Sequence, residues 1–131
     1  MASTQIAVAV VIMNNHVLVG RRSSHARDAA GLNEFPGGKI EQHEAPEEAA
    51  RRECLEEAGI AISVQSTLGH VPSFSSQGEI DIFFFLAKPT DVLQVPHTPF
   101  LYHTIQSLNK ENFPAANARI IDWLHNNYGG S

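Results

Sequence analysis

One cysteine in 131 residues leaves no internal disulfide framework and fits a reducing compartment. No apolar run approaches the roughly 18 residues that a membrane helix needs. The opening MASTQ has no basic n-region, so the expected location is cytoplasmic, with neither export nor membrane association. Basic residues are scarce: nine Lys and Arg against 14 Asp and Glu give a net charge of -5. That balance speaks against stable nucleic-acid binding. A small nucleotide escapes the argument, because a bound cation can bring the missing positive charge. The seven histidines show no metal spacing. Gly-rich phosphate loops, Cys/His zinc patterns and G-x-S-x-G elbows are absent, as are repeats and internal linkers. Residues 1–131 therefore read as a single domain, large enough for a core without staples and equally compatible with a monomer or a homodimer.

What the chain does have is concentrated acid. Seven of its 14 acidic residues lie between Glu41 and Glu57. Helix signals coincide there. Pro46 suits a first helical position, Gly59 suits the residue just past the end, and Glu44, Glu47 and Glu48 surround the positive end of the helix dipole. Ala49, Ala50, Cys54, Leu55 and Ala58 recur at helical spacing and are expected to face a core. Glu53, Glu56 and Glu57 fall at i, i+3 and i+4, which puts three like charges on one face. Two explanations stand side by side. One is a solvated face in which Arg52 pairs with Glu56 or Glu48. The other is a site for Mg²⁺, a hard cation that takes oxygen ligands and works with substrate phosphates. Gly37-Gly38 allows a tight turn that brings bare backbone close to those carboxylates.

Counting from Gly38 gives G-x5-E-x7-R-E-C-x-E-E-x-G-I, with Glu44, Arg52, Glu53, Glu56, Glu57, Gly59 and Ile60 at the marked places. This resembles the Nudix box, the signature of hydrolases that cleave nucleoside diphosphates linked to another group. Cys54 stands where an aliphatic residue is usual, a mild departure because buried cysteine behaves as a small hydrophobe. The resemblance extends to the MutT-type branch, which cleaves 8-oxo-dGTP, through QIAVAVVI, Arg21-Arg22, NEFPGGKIE and NFPAAN.

The resemblance implies an α/β/α sandwich with a mixed β-sheet between helices. It implies Mg²⁺, with Mn²⁺ as a substitute, held by Glu53, Glu56, Glu57 and the Gly38 carbonyl. Glu53 would also activate water, while Glu44 and Arg52 support the turn and orient the ligands. Arg22, Phe35 and Asn117 would contact a nucleotide substrate, whose cleavage to the monophosphate and pyrophosphate cleanses the pool used for DNA replication and repair. Two departures stand out. The MutT-type pattern carries another metal-side glutamate before the last strand, where residues 88–99 offer only Asp91 and His97. It also has an arginine near the turn at residues 75–78, where this chain has none.

Taken in order, residues 6–12 and 16–19 read as strands of a hairpin around Asn14-Asn15. Ile6 suits core packing, and a base pocket by resemblance. Arg22 ends the second strand, where it is either solvated or on the nucleotide. Residues 23–33 form a polar loop with no assignable chemistry. Phe35 suits both a packed core and a purine's flank. Residues 63–71 and 79–87 read as strands around a turn at 73–78. Residues 82–86 suit a strand buried on both faces. Residues 88–99 form a connection, residues 100–105 a short strand, and Ala116, Ile120, Trp123 and Leu124 one face of a closing helix. Residues 128–131 read as a loose tail. This order suggests a mixed sheet with a helix on each face. Asn117 is either a helix N-cap or, as the resemblance favours, a reader of one base edge, since an amide donates and accepts together. Two other activities remain in view: the same hydrolysis on a modified pyrimidine nucleotide or a nucleotide sugar, and a non-catalytic base-recognition module. A silent module would be expected to lose box glutamates, and this chain keeps them all.

Overall fold

The computed structural model describes residues 3–128, so the tail reading lies outside the described residues at 129–131 and is corrected at Tyr128, whose N–H donates to Leu124 O at 2.8 Å and whose ring meets Trp123. Strands β1 (Thr4–Met13) and β2 (His16–Arg21) form the expected hairpin, with φ of 50° at Asn14 and 60° at Asn15. Asparagine tolerates that left-handed pair better than most residues with a side chain, which is why the dipeptide turns the chain.

The next two strands are short and carry no period of their own: β3 (Asn33–Glu34) and β4 (Gly37–Lys39), on either side of Phe35-Pro36. Helix α1 (Pro46–Ala58) starts and stops at the expected residues, and Gly59 takes a left-handed φ of 71°. Strands β5 (Ile62–Ser75) and β6 (Gly78–Pro89) then form a long hairpin, followed by β7 (Leu101–Thr104) and α2 (Ala118–Asn127). The sequence placed a broad turn over residues 73–78. Pairing instead continues to Ser75 and Gly78, leaving only Ser76 and Gln77 at the tip. Two register shifts, between Val64 and Ser66 and between Thr67 and Gly69, let the hairpin stay paired that far.

The sheet order is β3-β2-β1-β6-β5, with β4 on β1 and β7 on β2. β1 pairs parallel with β6 and antiparallel with β2 and β4, so the sheet is mixed. Alternation along β1 splits the core in two. Ala7, Ala9 and Val11 lie with Ala49, Ala50, Cys54 and Ala58 of α1. Val8 and Val10 lie with Ile120, Ile121 and Leu124 of α2. One helix therefore covers each face, as the sandwich requires. Small residues on α1 let that helix sit close to the sheet. The ten residues of α2 are too few to hold a helix alone, and burying its three large apolar side chains supplies about 1.5–3 kcal/mol each. In β6, Ile82, Phe84 and Phe85 are buried, as expected of a strand covered on both faces.

Leu55 corrects one expectation. It is 53% exposed. At about 100° per residue, it lies a quarter-turn from Cys54 toward solvent, and Glu53 and Glu57 take the arc between Cys54 and Ala49 instead. The inward-facing stripe of α1 is therefore small residues interrupted by two carboxylates.

Candidate active site

Two adjacent glycines do different jobs where β4 runs beside β1. A Cβ on Gly37 would stand 2.5 Å from Ala7 O and 2.9 Å from Val8 Cα, so only glycine lets the two backbones approach. A Cβ on Gly38 would stand 2.1 Å from Glu53 Oε2. The second glycine leaves its space to a carboxylate.

Arg52 ties one side of this junction together. Its Nε donates to Glu44 Oε2 at 2.8 Å, and its Nη2 donates to Glu44 Oε1 at 3.0 Å and Lys39 O at 2.9 Å. Its Nη1 donates to Glu53 Oε1 at 2.8 Å and reaches Glu56 Oε2 at 3.4 Å. Glu48, the other partner considered for Arg52, turns back to accept Ala45 N–H at the start of α1. The bonds from Arg52, with the Glu41 N–H, hold the Glu44 carboxyl down at about 2. These bonds raise the Arg52 guanidinium further above its usual range.

The other side is different. Burial raises the Glu53 carboxyl against the pull of Arg52, with Glu56 adding to the rise. Glu57 accepts the Gly37 N–H at 2.9 Å, yet lost hydration, then the charges of Glu34 and Glu53, push it up to about 7. Glu34 is raised by burial, against the pull of Arg22 Nη1 at 3.0 Å. Glu34 gave no signal in the sequence. It enters because β3 lies beside β2, with Gly20 opposite Glu34.

Beside these carboxylates opens a cleft of about 880 Å³, large enough for a nucleotide. Ile6, Val8, Phe35, Ile80, Ile82, Pro114 and Ala116 give it apolar walls, and Arg22, Arg27, Glu34, Lys39 and Asn117 give it polar points. Phe35 is buried and stacks on Phe113 at 5.1 Å, so its packing and its place beside the cleft coexist. Asn117 sits at the start of α2 but its side chain makes no capping bond. One amide hydrogen goes to Pro114 O at 3.2 Å, and among the described residues Oδ1 accepts no protein hydrogen bond. The residue is nonetheless only 9% exposed, so the carboxamide is presented to the cleft rather than to bulk water.

The NUDIX domain model matches residues 3–124. The chain belongs to the Nudix hydrolase family. It is 34% identical over 124 residues to an 8-oxo-dGTP diphosphatase of Escherichia coli K12, covering 92% of this chain and 95% of that one. It is 28% identical over 117 residues to a CTP pyrophosphohydrolase of the same organism, covering 76% and 86%. Among solved structures, a MutT protein from Methanosarcina mazei superposes with a TM-score of 0.76 at 20% identity, covering 93% of this chain and 92% of the other. That likeness supports the fold.

Nudix hydrolases generally need a divalent metal ion. The donor chemistry of this Nudix site suits a hard cation: Glu34, Glu53 and Glu57 offer only oxygen, and the charges of Glu34 and Glu53 raise the proton affinity of Glu57. Among the described residues, no three His, Cys, Asp or Glu side chains converge as a ready-made cage. The hydrogen bonds explain it, since Glu53 is turned to Arg52 and Glu57 to the Gly37 amide. Glu56 borders this arc, 58% exposed and 3.4 Å from the same Arg52 Nη1 that binds Glu53.

The sequence-predicted residues thus fall into two neighbouring groups. Gly38, Glu44, Arg52, Glu53, Glu56 and Glu57 gather at the β4–α1 junction, and Arg22, Phe35 and Asn117 line the cleft. Asp91 and His97 take other work: Asp91 accepts Leu93 N–H, and the His97 ring packs over Gly59. The cleft positions Arg27, Lys39 and Ile80 were missed, because nothing in a loop's or strand's own sequence says which cavity it will border.

Proposed function

We propose that this Nudix hydrolase converts 8-oxo-dGTP to the monophosphate and pyrophosphate with Mg²⁺, acting in the cytoplasm to remove oxidised guanine nucleotides before they are used in replication. The observation that carries the substrate is the carboxamide of Asn117, nine-tenths buried at the cleft with its acceptor oxygen uncommitted. Oxidation at C8 turns N7 of guanine from an acceptor into an N–H donor beside the O6 acceptor. One amide can then accept from N7–H and donate to O6 together. Unmodified guanine presents two acceptors there, which leaves Oδ1 facing a lone pair. Phe35 and the apolar walls suit the purine ring.

Glu53, Glu56, Glu57 and the Gly38 carbonyl are the groups proposed to hold the metal. When bound, Mg²⁺ supplies positive charge to the phosphate oxygens and favours ionisation of water. The chain's own residues do the rest. Glu53, with its raised proton affinity, takes the proton of a water that attacks the β-phosphorus in line. The bond from the β-phosphorus to the oxygen shared with the α-phosphorus breaks, and that oxygen leaves with the monophosphate. Arg52 fixes the Glu53 carboxylate, and Glu44 fixes Arg52. Arg22 lies beside the substrate, already oriented by Glu34.

The deciding measurement is kcat/KM with Mg²⁺ for 8-oxo-dGTP beside dGTP, the other deoxynucleotides, CTP and ADP-ribose. A preference of about a hundredfold or more for the oxidised base is expected, because a site that leaves a buried amide unpaired rejects the wrong base. A preference below about tenfold sinks the oxidised-guanine reading. A preference for CTP would favour the pyrimidine alternative, which the CTP pyrophosphohydrolase relative keeps in play.

A further inference from the structure

Residues 23–33 gave no chemistry from their sequence, yet Arg27, Asp28, Ala29 and Leu32 line the cleft. Ser23 O accepts from Ala26 N–H and Gly31 N–H at 3.0 and 3.2 Å, and Arg22 N–H binds Leu32 O at 2.8 Å. Arg22 Nε also donates to Asp28 O at 2.9 Å, pinning the loop's backbone. The Asp28 carboxylate then reaches across to the tip of the β5–β6 hairpin. Oδ1 accepts Ser76 N–H and Oδ2 accepts the Ser76 hydroxyl, each at 2.9 Å. Two segments 48 residues apart are thereby clasped, and residues on both sides of the clasp line the cleft, Arg27 and Asp28 on one and Ser75 and Gln77 on the other.

Charge makes the clasp meaningful. The basic side chains lining the cleft are Arg22, Arg27 and Lys39. Arg22 is committed to Glu34 and to the loop backbone. Arg27 makes no protein hydrogen bond or ion pair among the described residues, although its neighbour Asp28 is fixed through both its carbonyl and its carboxylate. A guanidinium left unpaired at a cleft is suited to bidentate contact with phosphate oxygens.

We propose that Arg27 binds the polyphosphate of the nucleotide, and that Asp28, through its clasp on Ser76, is the residue that positions it. The inference rests on the nucleotide reading of the cleft but not on the oxidised base. Arg27→Ala is expected to raise KM for the nucleoside triphosphate about tenfold, the larger part of the loss lying in KM rather than kcat. Arg27→Lys should recover part of it, and Asp28→Asn should raise KM less. Because Asp28 acts through Arg27, the double variant should be no worse than Arg27→Ala.

Calorimetry with the α,β-methylene analogue of dGTP and with deoxyguanosine separates the roles. Arg27→Ala should weaken the first and leave the second unchanged. Equal losses on both ligands, or no loss on the triphosphate, overturn the Arg27 contact. Additive effects in the double variant overturn the positioning role. If the wild-type enzyme shows no preference for 8-oxo-dGTP, the substrate reading falls while this comparison still decides the clasp.

Discussion

Glu44 and Glu57 carry the same functional group at opposite ends of one helix, and the fold drives them in opposite directions. Glu44 is held at about 2 by Arg52 and the Glu41 N–H. Glu57 is pushed up to about 7 by lost hydration and by Glu34 and Glu53. Both have hydrogen-bond partners, so bonding alone does not separate them. Lost hydration does first, and the partners second. Glu44 accepts from the Arg52 guanidinium, whereas Glu57 loses hydration, accepts one neutral amide and faces Glu34 and Glu53, which outweigh the weaker pull of Arg22. One end of α1 is a strut whose charges balance internally. The other keeps an excess of negative charge, which suits the divalent cation proposed for the site.

The contrast can be broken most forcefully at Glu53, which accepts from Arg52 and whose charge acts on Glu57. Glu53→Gln keeps the shape and the acceptor for Arg52 but cannot take a proton, so kcat should fall about a thousandfold with the fold intact. An unchanged rate in a steady-state assay would remove Glu53 from the chemistry.

Gly38→Ala comes next. Its new methyl meets only the end of the Glu53 side chain, which can move aside. Activity should drop about a hundredfold through a misplaced carboxylate, while the thermal midpoint barely changes. Gly37→Ala meets backbone instead and should lower the midpoint as well. If both variants lose stability equally, the division of labour between the two glycines is wrong.

Arg52→Lys keeps the charge and loses the fork that serves Glu44, Glu53 and Lys39 O together. Activity should fall about tenfold and stability by about 2 kcal/mol, read by the assay and by denaturant unfolding. A neutral outcome would demote the strut.

The smallest expected effect sharpens the comparison by its sign. Without metal, Glu57 binds its proton more tightly folded than unfolded, so its contribution is fully present below its ordinary 4.5 and is lost as pH rises through about 7. Glu44 does the reverse: its contribution is present above 4.5 and is lost as pH falls toward about 2. Glu57→Gln should flatten the neutral limb of a midpoint–pH curve by a few degrees (~3 °C), and Glu44→Gln should flatten the acid limb. Added Mg²⁺ should raise the midpoint more at pH 8 than at pH 5.5, since only the ionised site attracts it. Matching slopes in the two variants would erase the distinction.

Local rules reached far in this chain. Pro46 and Gly59 bounded α1, Asn14-Asn15 turned the first hairpin, and the apolar run at residues 82–86 lay inside the sheet. The same rules failed where two segments had to meet. Helical spacing counted Leu55 among the inward residues, but which arc faces the sheet depends on where the sheet is. β3 and β4 are too short to show a period and exist because β2 and β1 offer them partners.

The sequence by itself determined the box, and with it which residue types crowd the β4–α1 junction, because fixed spacing on a helix and two consecutive glycines act over one or two turns of chain. Only the tertiary structure decided that Glu34 joins Glu53 and Glu57, that Arg52 serves Glu44 rather than Glu48, and that Asp28 meets Ser76. Charge pairing and desolvation depend on distances through space, and those are set when strands far apart in the chain come into register.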